Sequence, residues 1–379
     1  MIETMKVLVW QWSRLGGPPR FGVLLARALN AQPGVSAALS LSTRAQLSPA
    51  MMAESELLVD TYTSLPGFLA RAMRAPFDLR RLVPRVRAIK PDVAVCAQPG
   101  PLDLLMAGAL RRLGIPFVVL VHDAELHPGD GMPLQMPLQR ALCRSAAAVG
   151  ALTGHVAAAL TAQGLAGTPR RPLIRVSHPP LAFDMPPPAS RTPGPRRLLC
   201  FGRLLAYKGL DLLHDALRAL GPREDLVVRV VGTGPETPVL EALRALPNVT
   251  VENRWVPEEE VGALLDWSDA LILPYREASQ SGVAAAALAA GRSVIATRVG
   301  GLVEQLGDKA GALMCEPEGG SVAEAIRALL AEPPALLPAA DAGAAWNEMA
   351  ATLVEQIGPV MRRRAAHHLP TLSPSARVP

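Results

Sequence analysis

Residues Phe201–Leu213 read FGRLLAYKGLDLL. The run Arg197–Phe201 that leads into them has the length and apolar continuity of a strand buried on both faces. Gly202 permits a turn, Arg203 and Lys208 project from the loop, and a helix follows over Gly209–Leu220. A strand that ends in a short loop and feeds a helix is half of a βαβ unit, the building block of a parallel sheet. Two cations beside a helix N-terminus, with its dipole and free N–H groups, form a site for a diphosphate. The bland alternative is a pair of surface cations flanking an ordinary loop. Lysine usage argues for the ligand: of 38 basic residues, only Lys6, Lys90, Lys208 and Lys309 are lysines.

The same alternation continues outward in both directions. Downstream, strands at Leu226–Val231, Val249–Glu252, Ala270–Leu273 and Ser293–Thr297 alternate with helices at Pro235–Leu246, Glu258–Asp266 and Gly282–Ala290. Upstream, Pro179–Arg197 (PPLAFDMPPPASRTPGPRR) holds seven prolines by Pro195. Neither a helix nor a central strand tolerates that density, so this segment is the interdomain linker. Before it, strands at Met5–Trp10, Val35–Leu41, Asp92–Ala97, Pro116–Val121 and Ala146–Ala151 are separated by helices at Arg20–Leu29 and Leu102–Leu113. A further helix spans His155–Gln163. The expected architecture is α/β: two Rossmann-like, doubly wound parallel-sheet domains, 1–178 and 198–340, facing each other across a cleft. A C-terminal helix within 341–366 (Trp346–Ile357 by periodicity) and a disordered tail at 367–379 complete the chain. Ligands of open α/β sheets bind beyond the carboxyl ends of the strands, which here meet in the cleft.

Composition agrees. At 379 residues, half hydrophobic and 19% charged, the chain can bury two cores, and wholesale disorder is excluded. Cys96, Cys143, Cys200 and Cys315 stand singly in apolar contexts, which suggests neither a disulfide framework nor a thiolate metal site and fits a reducing cytoplasm. No uninterrupted apolar run reaches the roughly 18–20 residues needed to cross a bilayer. The net charge of +5 is unevenly placed: residues 1–180 carry 19 Lys/Arg against 10 Asp/Glu, and residues 181–379 carry 19 against 23. The densest excess is Arg71–Lys90, which is either a solvated helix face or a surface for anionic lipid or a phosphorylated acceptor. Nucleic acid is not expected, because no binding module or basic–aromatic interleaving accompanies the patch.

Two more segments carry chemistry. Val230–Glu236, VVGTGPE, is a strand running into a glycine loop; Pro235, Glu236 and Thr237 break a full G-x-G-x-x-G, which counts against a nicotinamide site. Leu273–Leu306, LPYREASQSGVAAAALAAGRSVIATRVGGLVEQL, places a polar loop at Arg276–Ser281 before a small-residue helix from Gly282. Free N–H groups at Gly282 and Val283 can hold a phosphate, and Ser279, Gln280 and Ser281 offer neutral hydrogen bonds.

Taken in order, "GR…KG", "VGxGP" and "PY…SQSG…A…G…VIAT…GG…E" resemble the nucleotide-binding half of retaining family-4 glycosyltransferases of the two-domain GT-B fold. The match is close over about 197–330. It is looser in the N-terminal half: Gly16-Gly17 after the first strand, PDV at Pro91–Val93, His122-Asp123 and HPP at His178–Pro180. The resemblance implies transfer of a sugar from a nucleoside-diphosphate donor to a glycan or lipid-linked glycan, with retention and with neither metal nor cofactor. It implies that Arg203 and Lys208 neutralise the donor diphosphate and that Gly16 and Gly17 approach the donor from the N-terminal side. Ser279–Val283 would lie under the diphosphate, His122 would face the donor sugar, and Gly232, Val256 and Glu304 would border the nucleotide. The family often has two glutamates eight positions apart in the third segment. Here those positions are Ala278 and Ala286, so the ribose-facing glutamate is absent, and Glu277 replaces the other only through a one-residue shift of the loop.

Other residues admit two readings. His122 ends a buried strand, as a site residue or a structural histidine; Asp123 is its orienting partner or a helix cap. His127, His155 and His178 lack metal-ligand spacing, and His178 shapes the interdomain crossing. Trp10 is core, Trp12 is core or an acceptor contact, and the Met132–Met136 stretch is an acceptor loop or packing. Two rival functions share the fold: a non-catalytic sugar-nucleotide-binding partner protein and a sugar-nucleotide epimerase. The epimerase needs acidic residues in the cleft, for which Asp123, Glu125 and Glu277 are the candidates. Peripheral association with the inner face of a cytoplasmic membrane is a further expectation from Arg71–Lys90.

Overall fold

The computed structural model describes residues 4–131, 134–185, 194–331 and 337–368. Two parallel sheets form, one from each half of the chain. The first contains β1 (Met5–Gln11), β2 (Val35–Ser42), β3 (Leu57–Val59), β4 (Val93–Cys96), β5 (Phe117–Val121), β6 (Ala148–Ala151) and β7 (Leu173–Arg175), in the order β3-β2-β1-β4-β5-β6-β7. The second contains β8 (Arg196–Phe201), β9 (Leu226–Gly232), β10 (Val249–Asn253), β11 (Ala270–Leu273), β12 (Ser293–Thr297) and β13 (Ala312–Cys315), in the order β10-β9-β8-β11-β12-β13. Every strand pairing within both sheets is parallel. The doubly wound α/β reading is therefore correct for both halves.

Parallel strands need helical crossovers, and the helices cover both faces of each sheet, which is why the central strands are apolar throughout. Val93–Cys96 and Phe117–Val121 are fully buried, and so is Ala270–Leu273. The strand order reverses between β1 and β4 in one sheet and between β8 and β11 in the other. At such a reversal the connecting helices leave to opposite faces and open a crevice at the strand ends. The loops after β1, β4, β8 and β11 are thus the ones the topology leaves free to hold a ligand.

The structure adds elements the periodicity did not reveal: the edge strands β3, β7 and β13, the 25-residue helix Leu65–Ile89 and the helix Gly319–Ala331. Within the proposed linker, residues 186–193 lie outside the described residues, and Arg196-Arg197 already belong to β8. Leu181 donates its N–H to the Ala285 carbonyl at 3.1 Å as the chain crosses. The terminal helix is longer than Trp346–Ile357, running Ala342–His368. The proposed tail falls outside the described residues from 369 onward, and its first two residues end that helix. Arg71–Lys90 lies mostly on the outward face of the Leu65–Ile89 helix, where only Phe68, Leu82, Val86 and Ile89 are buried. Among the described residues, no helix is long and apolar enough to cross a membrane.

The terminal helix returns to the first domain. Trp346 is buried, its ring edge-on to Phe21 with centroids 4.9 Å apart, and its indole N–H donates to the Pro180 carbonyl at 3.0 Å. Met349, Ala350, Leu353 and Ile357 continue the same core. Trp346→Ala should therefore destabilise the first domain by about 3–5 kcal/mol, read as a lower denaturation midpoint by circular dichroism. An unchanged midpoint would make this helix a passive appendage.

Candidate active site

Three loops build the cleft, and backbone packing fixes each of them. Gly209 takes a left-handed conformation (φ 65°), and a Cβ there would overlap the Pro274 carbonyl at the end of β11. Gly232 brings the end of β9 against the Gly202 backbone just as closely. The glycines of the first two motifs therefore lock the loop after β8 between its neighbours and set where Arg203 and Lys208 stand. That is a structural use of Gly232, through its backbone.

Lys208 is partly buried with its ammonium 3.7 Å from the ring centre of Tyr275 and 4.9 Å from that of Tyr207. Among the described residues no carboxylate pairs with it. Burial, with the Arg203 charge as the next contribution, pushes its pKa down to about 7. A cation held out of water without a counter-ion is a standing electrostatic cost that an anionic ligand removes. Arg203, in contrast, has an occupied guanidinium: it ion-pairs with Asp130 of the opposite domain and donates to Tyr207 Oη at 2.9 Å.

The loop after β11 runs past the same point. Ser281 caps the helix Gly282–Ala289 by accepting from the Ala284 N–H at 3.3 Å, and its own N–H donates to Gln305 Oε1 at 2.9 Å. Ser281 is thus a structural cap, while the N–H groups of Gly282 and Val283 lie in a first turn that offers no intrahelical acceptor. Gln280 Oε1 is buried without a hydrogen-bond partner. Buried Ser279 places its hydroxyl 3.5 Å from His127 Nε2, and its carbonyl accepts from Thr153 Oγ1 at 3.0 Å. Ala278 and Ala286 are both core residues, so neither family glutamate position offers a carboxylate. Glu277 does: its Oε2 lies 3.2 Å from His127 Nδ1.

From the first domain, His122 sits at the end of β5 as a buried ring whose Nε2–H donates to the Ala97 carbonyl at 2.9 Å. That bond leaves Nδ1 as the acceptor nitrogen. Burial, then the neighbouring His178, lowers its pKa to about 3, so it is neutral at physiological pH. Its edge rests on Phe21 at 4.7 Å. Gly16, with φ 77°, caps the exposed start of the helix Gly17–Asn30. Gly17 has no neighbour within 4 Å of where a Cβ would stand, so a ligand can approach its backbone closely.

The structure does not bring every expected residue to one point. Val256 is buried among Leu271, Leu273 and Tyr275 with its side chain in the core. Glu304 accepts the N–H of Gly154 from the opposite domain and lies 3.5 Å from Arg175, so its carboxylate bridges the domains. Trp12 is resolved as core: it is 5% exposed and donates to Ser40 Oγ at 3.0 Å. Met132 and Pro133 lie outside the described residues, while Met136 borders the cleft. Sequence reasoning missed His127 and Asp130, which the same loop delivers into the cleft. The available signal was the run HDAELHPGD (122–130), with a histidine four residues beyond an aspartate at a strand end.

Comparison with known proteins decides the family. The profile described as "Glycosyl transferases group 1" matches residues 195–332, and that described as "Glycosyl transferase 4-like domain" matches 16–180. The chain belongs to the group 1 glycosyltransferases. A curated relative of this glycosyltransferase is the 2-deoxystreptamine glucosyltransferase of Streptomyces kanamyceticus, 29% identical over 312 residues, covering 74% of this chain and 77% of the relative. Among solved structures, Anabaena HepE in complex with UDP and glucose superposes with a TM-score of 0.66 at 17% identity, covering 94% of this chain and 99% of that one. Sucrose-phosphate synthase from Thermosynechococcus elongatus gives 0.61 at 17% identity, with 96% and 100% coverage. UDP-GlcNAc 2-epimerase from Neisseria meningitidis gives 0.57 at 12% identity, with 93% and 100% coverage. These structural likenesses establish the GT-B fold, which glycosyltransferases and epimerases share.

The glycine lock is testable in the glycosyltransferase itself. Gly209→Ala introduces both a backbone penalty of roughly 1–2 kcal/mol and a steric overlap with Pro274. It should lower the melting temperature and weaken nucleotide binding together. Unchanged binding at a normal melting temperature would remove this glycine from the account.

Proposed function

We propose that this glycosyltransferase uses a nucleoside-diphosphate sugar, with UDP as the expected nucleotide, and that Lys208 is the principal counter-charge of its diphosphate. The observation that carries the reading is the ammonium of Lys208, set on two tyrosine rings at the mouth of the β8–β11 crevice with no carboxylate in ion-pair contact among the described residues. The unpaired N–H groups at the start of the Gly282–Ala289 helix support the same assignment, since they suit phosphate oxygens. When the glycosidic bond breaks, negative charge grows on the leaving diphosphate, and Lys208 interacts most strongly at that moment. On this reading Arg203 exchanges Asp130 for the diphosphate as the donor arrives. Lys208, Arg203 and the helix N-terminus together supply the positive charge that leaving-group stabilisation needs, which supports transfer without a metal. Retention of configuration rests on the motif order alone.

On the acceptor side, a concavity lined by Gln98, His122, Asp123, Glu125, His127 and Asp130 adjoins the donor loops. Glu125, and Asp130 once Arg203 turns to the diphosphate, favour a hydroxylated, amine-bearing acceptor over the lipid-linked glycan expected from the basic N-terminal half. The activity named for the Streptomyces relative, on an aminocyclitol, supports this choice. Peripheral membrane contact is a separate property, supported by exposed Leu65, Leu69, Met73 and Phe77 beside Arg74 and Arg81 on one long helix.

Lys208→Ala should lower turnover by ~10²–10³-fold in a nucleotide-release assay with a panel of sugar nucleotides, and activity should persist in excess EDTA. Near-normal turnover in the folded variant would sink the diphosphate assignment; loss in EDTA restored by magnesium would sink metal independence. Aminocyclitols should outperform lipid-linked glycans as acceptors, and product analysis separates transfer from epimerisation.

A further inference from the structure

Among the described residues, His127 is the histidine whose two ring nitrogens both face carboxylates. Nε2 lies 3.4 Å from Asp123 Oδ1, and Nδ1 lies 3.2 Å from Glu277 Oε2. The ring lies flat on Tyr207, with centroids 4.6 Å apart and planes at 18°. Asp123 and His127 come from the first domain; Tyr207, Glu277 and Ser279 come from the second. A neutral imidazole has a single N–H and can satisfy only one of the two carboxylates, whereas the imidazolium donates to both.

The loop of His127 itself supplies Asp123 and Asp130, the latter donating its N–H to the His127 carbonyl at 2.9 Å. The loop after β8 supplies Tyr207, with Arg203 bonded to the tyrosine hydroxyl and Lys208 over its ring. The loop after β11 supplies Glu277 and Ser279. Burial alone would lower the pKa of His127, but Asp123 and Glu277 more than offset this and raise it above the ordinary histidine value. Among the described residues, His127 is also the partner that Glu277 finds: the carboxylate is otherwise 47% exposed.

We propose that His127 is the positioning residue for Glu277: the imidazolium, held by Asp123 and stacked on Tyr207, aims the Glu277 carboxylate at the donor sugar when the two domains meet. Glu277 stands one residue before the position where relatives carry their sugar-facing glutamate, and a clasp from the opposite domain is what lets a shifted carboxylate serve. The clasp is intact while His127 is protonated and is lost as pH rises through its raised pKa. This inference rests on the donor site proposed above.

The test uses the full-length enzyme and His127→Phe, which keeps the stacking and removes both hydrogen bonds. A misplaced reacting group of this kind costs ~10²-fold in kcat, and donor KM should change little. Wild-type kcat should fall on the alkaline side, and His127→Phe should lack that limb. His127→Lys, which keeps the charge, should recover part of the rate. Glu277→Gln should lose a similar factor, with the double variant no worse than either single one. Near-normal kcat in His127→Phe, or additive losses in the double variant, would overturn the proposal, as would donor binding weakened as much as in Lys208→Ala. NMR titration of the imidazole gives a readout that needs no turnover. His127 should titrate above ordinary histidines in the wild type and fall towards them in Glu277→Gln, and an unmoved value would overturn the pairing. If the pairing is present but no sugar nucleotide is turned over, the donor reading has failed, and with it the catalytic role assigned to the clasp.

Discussion

An amine buried at the edge of a hydrophobic sheet, with no carboxylate in ion-pair contact among the described residues, is the constraint that organises this molecule. Lys208 rests on the faces of Tyr207 and Tyr275, whose quadrupoles ease but do not replace a counter-ion. Holding it there requires the left-handed turn at Gly209, which requires the loop after β8 to lie against Pro274, which requires β8 and β11 to be neighbours. The strand reversal thus does more than open a crevice. It places an amine whose charged form is costly to hold at the mouth of that crevice, where an anionic ligand would stabilise it.

Contacts across the cleft tie the loops of the second domain to the first. Arg203 is held by Asp130, Glu277 by His127, Ser279 by Thr153 and Glu304 by the backbone of Gly154. Asp130 and His127 lie in the loop after β5, and Thr153 and Gly154 at the start of the helix Gly154–Ala162. Several of these pairs are charge-assisted and exposed enough to exchange partners, so they favour a shut cleft without fixing it. On the proposed donor reading, turning Arg203 to a diphosphate would uncover the carboxylate of Asp130.

The fold was legible in the sequence wherever burial on both faces left a continuous apolar run, as in Phe117–Val121 and Ala270–Leu273. It was illegible where strands are three or four residues at a sheet edge, as in Leu57–Val59 and Leu173–Arg175, because so short a run carries no period. The long Leu65–Ile89 helix was legible only as one reading of Arg71–Lys90, because Pro76 and Pro84 fall inside it and its first half buries almost nothing. At the site, Arg203, Lys208 and the helix start at Gly282 were readable as candidates because each belongs to a motif contained in a single loop. His127 was not. Its role depends on Glu277, 150 residues away, and on a ring contact with Tyr207 that only the closed geometry creates. Metal-ligand spacing was the wrong question to ask of it.

The account stands or falls on whether the donor diphosphate becomes the counter-ion of Lys208. Burial holds that amine at about 7 in the free enzyme, and a neighbouring diphosphate must restore its charge. The phosphodiester oxygens of a sugar nucleotide do not titrate near neutrality, so any proton taken up on binding is taken up by the protein. Calorimetric titration with UDP-glucose in buffers of differing ionisation enthalpy counts that proton. The account predicts uptake of about one proton at pH 8, falling towards zero at pH 6, where the amine is already charged. Binding without proton uptake at pH 8, or with the same uptake at both pH values, would contradict it.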